Sequence, residues 1–133
     1  FFVRKGTGTP LVLVHGASPG ACALVNWGAN IDFFADAGFA VYAADQPGFG
    51  NTDNPQDNSL EYRVRHTRAF IDTMGLDRYV LMGNSQGSYI VARLALEDPR
   101  VEKFVLVSSG TLAPPGTSPK AEEMAREHSA RLA

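Results

Sequence analysis

The sequence predicts an α/β fold, a mostly parallel sheet with helices on both of its faces. Three observations carry that expectation. Apolar runs Leu11 to His15, Phe39 to Ala44 and Tyr79 to Met82 are continuous rather than alternating, as in strands buried on both faces. Between them, apolar residues recur at steps of three and four, the period of a helix with one buried face. The two patterns take turns along the chain, which is the order that builds parallel sheets with helical crossovers.

Each element has its own signal. Phe1 to Arg4 reads as a strand, and Lys5-Gly6-Thr7-Gly8-Thr9-Pro10 as a turn. Leu11 to His15 is the first fully buried strand, and Gly16 to Ala23 a loop of small residues. Asn26 to Ala37 suits a helix ending at Gly38, with Ile31, Phe34 and Ala35 on its apolar face. Phe39 to Ala44 is a strand with Asp45 at its end, followed by a Pro-, Gly- and Asn-rich loop over Gln46 to Asn58. Asn58 and Glu61 have capping-box spacing. Beyond them Leu60, Val64, Thr67, Ile71 and Met74 share one helix face that Gly75 ends. Tyr79 to Met82 is a strand, 86–97 a helix stopped by Pro99, and Lys103 to Val107 the last strand. Residues 1–110 are expected to form one core. Residues 111–133 read as a proline-rich linker and a charged helix, the entry into a lid.

Bulk properties narrow the function. The 133 residues suffice for one domain with a core, at 44% hydrophobic and 20% charged content. Net charge is −2 and the basic residues are scattered, which argues against nucleic acid and anionic membranes as partners. No apolar run could span a bilayer. Residues 1–15 lack the pattern of a signal peptide, so a cytoplasmic location is expected. The single Cys22 has no metal-ligand spacing and reads as a small loop or buried residue. The expectation is a small-molecule substrate with no metal and no cofactor. Whether the complete protein is a homo-oligomer stays open.

The chemistry concentrates in Gly83-Asn84-Ser85-Gln86-Gly87, between a strand and a helix. Any Gly/Ser turn can match five letters; the flanking elements are what give these meaning. A serine on so sharp a turn needs a strained backbone, and glycines two residues away on each side leave room for it. The helix beginning at Gln86 would aim its first amides and its positive dipole end at the site, where an oxyanion could form.

With this elbow, His15-Gly16 after one buried strand and Asp45-Gln46-Pro47-Gly48-Phe49-Gly50 after the next, the chain resembles the α/β-hydrolase superfamily. Within it, the chain is most similar to the meta-cleavage-product hydrolases, which split carbon–carbon bonds in ring-cleavage products of aromatic degradation. Gly16-Ala17-Ser18-Pro19-Gly20-Ala21, Asn26, Asn30 and Asn84 carry that part of the resemblance. It implies Ser85 as nucleophile, and the backbone N–H groups of Ala17 and Gln86 as the oxyanion hole. It further implies Ser18, Asn26 and Asn84 at the substrate. In such enzymes a dienol first becomes a ketone, whose carbonyl the serine, or a water beside it, attacks.

The chain departs from the family at several places. Ser18 and Ser88 stand where glycine is usual, and Gln86 where methionine is usual. A positive φ at Ser18 would cost on the order of 1 kcal/mol or more. The acid and the histidine should follow the nucleophile in chain order. His128 is the only histidine after Ser85, in a helix pattern without a supporting acid. His15 reads as a packing residue beside the oxyanion loop, His66 as solvated, and Asp45 as a brace for its loop or a helix start. The expectation is the N-terminal part of a longer serine-type hydrolase, cut after the strand that follows the elbow helix. A carboxylic ester hydrolase on the same fold and a non-catalytic ligand-binding protein remain the alternatives.

Overall fold

The computed structural model describes residues 1–112 and positions 123 and 126. His128 and almost all of the expected linker and charged helix lie outside the described residues. The described elements are β1 (Phe2–Lys5), β2 (Thr9–Val14), α1 (Ala23–Asp36), β3 (Phe39–Ala44), α2 (Leu60–Thr73), β4 (Tyr79–Asn84), α3 (Gln86–Glu97) and β5 (Val101–Val107). A short 3-10 turn, Gly110–Leu112, follows. None of the described helices is long and apolar enough to cross a membrane.

The sheet order is β1-β3-β2-β4-β5. β2, β3, β4 and β5 run parallel, and β1 pairs antiparallel with β3 at one edge. The continuous apolar run of β2 implies burial on both faces, and its residues divide between two cores. Leu11 and Leu13 pack with Ala23, Trp27 and Ile31 of α1. Val12 and Val14 pack with Val64 and Ile71 of α2 and with Ile90, Val91 and Leu94 of α3. Helices thus cover both faces.

Register decides where the site lies. Val14 sits opposite both Ala44 and Gly83, and Asn84 opposite Val107. The carboxyl ends of the four parallel strands therefore reach one edge together. From β2 the chain steps to β3 on one side, then returns past β2 to β4 on the other. The loops after β2 and β4 diverge at that switch, where open α/β sheets form their ligand crevice.

Several boundaries differ from expectation. α1 starts at Ala23 rather than Asn26, with Cys22 as its cap, Sγ accepting from the Val25 N–H at 3.5 Å. The extra turn is held by a tertiary bond, because Asp45 Oδ1 accepts from the Ala23 N–H at 2.8 Å. Trp27, absent from the expected face, is buried there. The cap of α2 is Ser59, not Asn58, with Oγ accepting from the Tyr62 N–H at 3.1 Å. Glu61 is not turned back into a capping box but pairs with Arg93 of α3 at 2.5 Å. β5 begins at Val101, two residues before Lys103, because Val101 still pairs with Tyr79. β2 likewise begins at Thr9, where Phe39 is its partner.

Candidate active site

Ser85 is the residue between β4 and α3, and its backbone is unusual, with φ 53° and ψ −120°. A non-glycine residue there is strained by about 1–3 kcal/mol and persists only when its surroundings enforce it. The Ser85 N–H donates to the Val107 carbonyl at 2.8 Å, and the Ser88 N–H donates to the Ser85 carbonyl at 2.9 Å. The buried Ser88 hydroxyl lies 2.8 Å from the Gly83 carbonyl oxygen and 3.0 Å from that of Val107. Ser88, where the family usually has glycine, thus pins the start of α3 to β4 and β5.

The flanking glycines serve close approach. A Cβ on Gly83 would lie 2.5 Å from the Gly87 carbonyl oxygen. One on Gly87 would lie 2.6 Å from the carbonyl oxygen of His15 and closer still to that of Val14. Both obstacles are backbone. The elbow helix therefore rests directly on the end of β2, and this contact brings the next loop to the serine.

That loop carries the other expected site residues. A Cβ on Gly16 would stand 3.2 Å from Ser85 Cβ and 3.3 Å from Asn84 Oδ1. The Gly16 N–H donates to Asn26 Oδ1 at 3.3 Å. Gly16, Asn26, Asn84 and Ser85 are thus brought together, with half-buried Ala17 following Gly16 and Gln86 following Ser85. Ser18 is exposed, and its carbonyl accepts from the Ala21 N–H at 2.9 Å in a turn. The anticipated strain at Ser18 does not arise, since the left-handed position of this loop is Gly20, at φ 78°.

His15 is fully buried behind the loop. The Gln46 N–H donates to its Nε2 at 2.9 Å, so the proton sits on Nδ1, which lies 2.6 Å from the Gly16 carbonyl oxygen and donates to it. The Gln46 side-chain amide donates to the His15 carbonyl. Burial lowers the imidazole pKa. With both ring nitrogens engaged and the neutral form favoured, His15 orders the loop and has no free nitrogen for Ser85. Asp45 is 1% exposed, and besides accepting from the Ala23 N–H it accepts from the Asn51 N–H at 2.9 Å. It braces both its loop and a helix start.

One part of the site escaped the sequence reading. Arg63 of α2 is only 8% exposed, and its Nη1 donates to Gln86 Oε1 at 2.6 Å. Its guanidinium lies over the Phe49 ring, 4.9 Å from the centroid, and Phe49 meets the His15 ring edge-on at 5.4 Å. A signal existed, because Leu60, Arg63, Thr67 and Ile71 also step by three and four. His66, expected in solvent, is half-buried, its ring centroid 6.4 Å from that of Tyr62, and burial lowers its pKa.

Comparison with known proteins gives a consistent picture. Over 107 residues the chain is 39% identical to a 2-hydroxy-6-oxononadienedioate/2-hydroxy-6-oxononatrienedioate hydrolase of Paraburkholderia phymatum, covering 78% of this chain and 37% of that protein. The chain thus spans under two-fifths of the length of this relative. A solved 2-hydroxy-6-oxo-6-phenylhexa-2,4-dienoate hydrolase from a Rhodococcus species superposes with TM-score 0.81 at 31% identity, over 94% of this chain and 46% of that one. A marine microorganism esterase superposes with TM-score 0.75 at 26% identity, over 100% of this chain and 50% of that one. The relatives include hydrolases of the meta-cleavage-product kind, the similarity that the loop residues had suggested. Residues 9–131 match the alpha/beta hydrolase fold as a family, so that the strained serine, the glycines around it and the sheet beneath have a common explanation: the chain belongs to the alpha/beta hydrolase fold family.

Proposed function

We propose that the protein carrying this sequence is a serine-type hydrolase that cleaves a carbon–carbon bond in a meta-ring-cleavage product of aromatic degradation. The observation that carries the reading is the backbone of Ser85, held at φ 53° and ψ −120° against the Gly16 loop. Ser85 is the nucleophile, or holds the water that acts as one. The N–H groups of Ala17 and Gln86 stabilise the oxyanion, with the first turn of α3 adding its dipole. Ser18, Asn26 and Asn84 line the substrate side. A serine needs a general base. His15 is engaged on both nitrogens, and this reading takes the base from outside the described residues.

The substrate reading is supported by relatives whose names specify 2-hydroxy-6-oxo-dienoate substrates. A carboxylic ester is the second reading, favoured by the likeness to an esterase over the whole chain. Both readings place a small molecule at the carboxyl edge of the sheet, in an enzyme working without metal or cofactor in the cytoplasm. The test is turnover of a ring-cleavage dienol against turnover of an activated ester, in wild type and Ser85→Ala. Faster, Ser85-dependent cleavage of the dienol supports the first reading. Preference for the ester replaces it with the second, and turnover that survives Ser85→Ala overturns both.

A further inference from the structure

The side chain of Gln86 is fixed in one sense. Arginine only donates hydrogen bonds, so the atom of the carboxamide that meets Arg63 Nη1 at 2.6 Å must be its oxygen. The other end, Nε2, is then an obligate donor with two protons. It has no hydrogen-bond partner among the described residues, on a half-buried side chain directly after Ser85. A free glutamine could rotate to offer either a donor or an acceptor; Arg63 removes that choice.

Arg63 is itself unusual. It is buried, with no carboxylate within ion-pair distance among the described residues. Its Nε is buried without a hydrogen-bond partner. The Phe49 face gives the cation some compensation. A buried positive charge without a carboxylate partner is costly, and it polarises the amide it holds into a stronger donor.

We infer that Arg63 and Gln86 form a specificity device in which the guanidinium locks the Gln86 carboxamide as a donor, selecting substrates with an anionic oxygen, a carboxylate or enolate, near the carbonyl that Ser85 attacks. The inference rests on the serine-hydrolase reading for its site and adds the polarity of the group accepted there. Arg63 acts as a positioning residue, through Gln86.

The test uses para-nitrophenyl hemiglutarate, which carries a carboxylate, and para-nitrophenyl pentanoate, which has a methyl group in its place. The readout is the ratio of their kcat/KM values in the full-length protein. Gln86→Met and Arg63→Met should each lower that ratio about tenfold, the scale of a lost hydrogen bond to a charged group. The double variant should lower it no further, because both act through one contact. Arg63→Lys, still a donor, should recover part of the ratio. Binding of the two intact esters to Ser85→Ala, with and without Gln86→Met, reads the same preference independently of turnover. An unchanged ratio and unchanged relative binding in Gln86→Met would overturn the device, even if Arg63 variants fail to fold. Turnover persisting in Ser85→Ala would instead remove the serine reading, and the ratio of kcat/KM values in Gln86→Met would then decide the role of Gln86.

Discussion

At Ser85 and His15, single residues are held in states that an isolated chain would avoid. The φ of 53° and ψ of −120° at Ser85 suit glycine. Ser85→Gly should therefore raise stability by about 1 kcal/mol, the relieved strain outweighing the extra chain entropy of glycine. In the same variant turnover should fall at least about a thousandfold, and Ser85→Ala should match that loss. Urea unfolding beside a turnover assay checks both; a destabilised Ser85→Gly protein would show the backbone to be relaxed. His15 makes a pH prediction. Its folded pKa is lowered by burial, so the unfolded chain takes up a proton first as pH falls. Stability is then fully present above the unfolded value of about 6.5 and is lost as pH drops below it, until the folded group also protonates. His66 is shifted the same way and adds to the slope. Urea midpoints between about pH 7.5 and 5 should decline. The decline should be shallower in His66→Gln, and a flat profile would mean that neither imidazole resists protonation.

The elements show what the sequence reveals and what it hides. β3, the elbow and α3 were legible because their signals are local: continuous apolar runs, a Gly-x-Ser-x-Gly turn and helical periodicity. The first turn of α1 was hidden, because the group that holds Ala23 is Asp45, twenty-two positions away in sequence. The capping-box spacing of Asn58 and Glu61 points one residue away from the cap, Ser59, because Glu61 is taken by Arg93 of α3 rather than by its own helix start. Arg63 was overlooked because a charge on an apolar stripe reads as solvated; only the packing of Phe49 and Gln86 against it explains its burial. The seat of α3 on β2 yields a prediction in which two local effects compete. Helix propensity favours Gly87→Ala by about 1 kcal/mol. Against it, the new methyl would meet the Val14 and His15 carbonyls, backbone that cannot step aside. Overpacking of this kind costs about 1–3 kcal/mol, and more when nothing can relax. Gly87→Ala should therefore destabilise by about 2 kcal/mol and reduce turnover as the elbow tilts away from the Gly16 loop. A raised urea midpoint would show that α3 can slide outward at little cost.

Over the whole sheet, the two edges are protected unequally. β1 ends the sheet with Arg4 and Lys5 exposed, charges that discourage pairing with another chain. β5 ends the other side with Phe104 52% exposed and Val105 and Val107 also in solvent, while its charged Glu102 and Lys103 lie only at its start. Its carbonyl end also borders the candidate site, since Val107 receives the Ser85 N–H. A parallel edge strand that is apolar along its second half is a template for a further strand. The 133-residue polypeptide, made alone, should therefore self-associate at micromolar concentration and show no Ser85-dependent turnover, His15 being committed to Gly16 and Gln46. Phe104→Lys, which places a charge on the exposed edge, should shift the polypeptide toward monomer without restoring turnover. Light scattering and size-exclusion chromatography read the first effect, and hydrolysis of an activated ester reads the second. A monodisperse monomer of the unaltered polypeptide would mean that this edge is already protected. Ester turnover lost in both Ser85→Ala and His128→Ala would place the base within these residues after all.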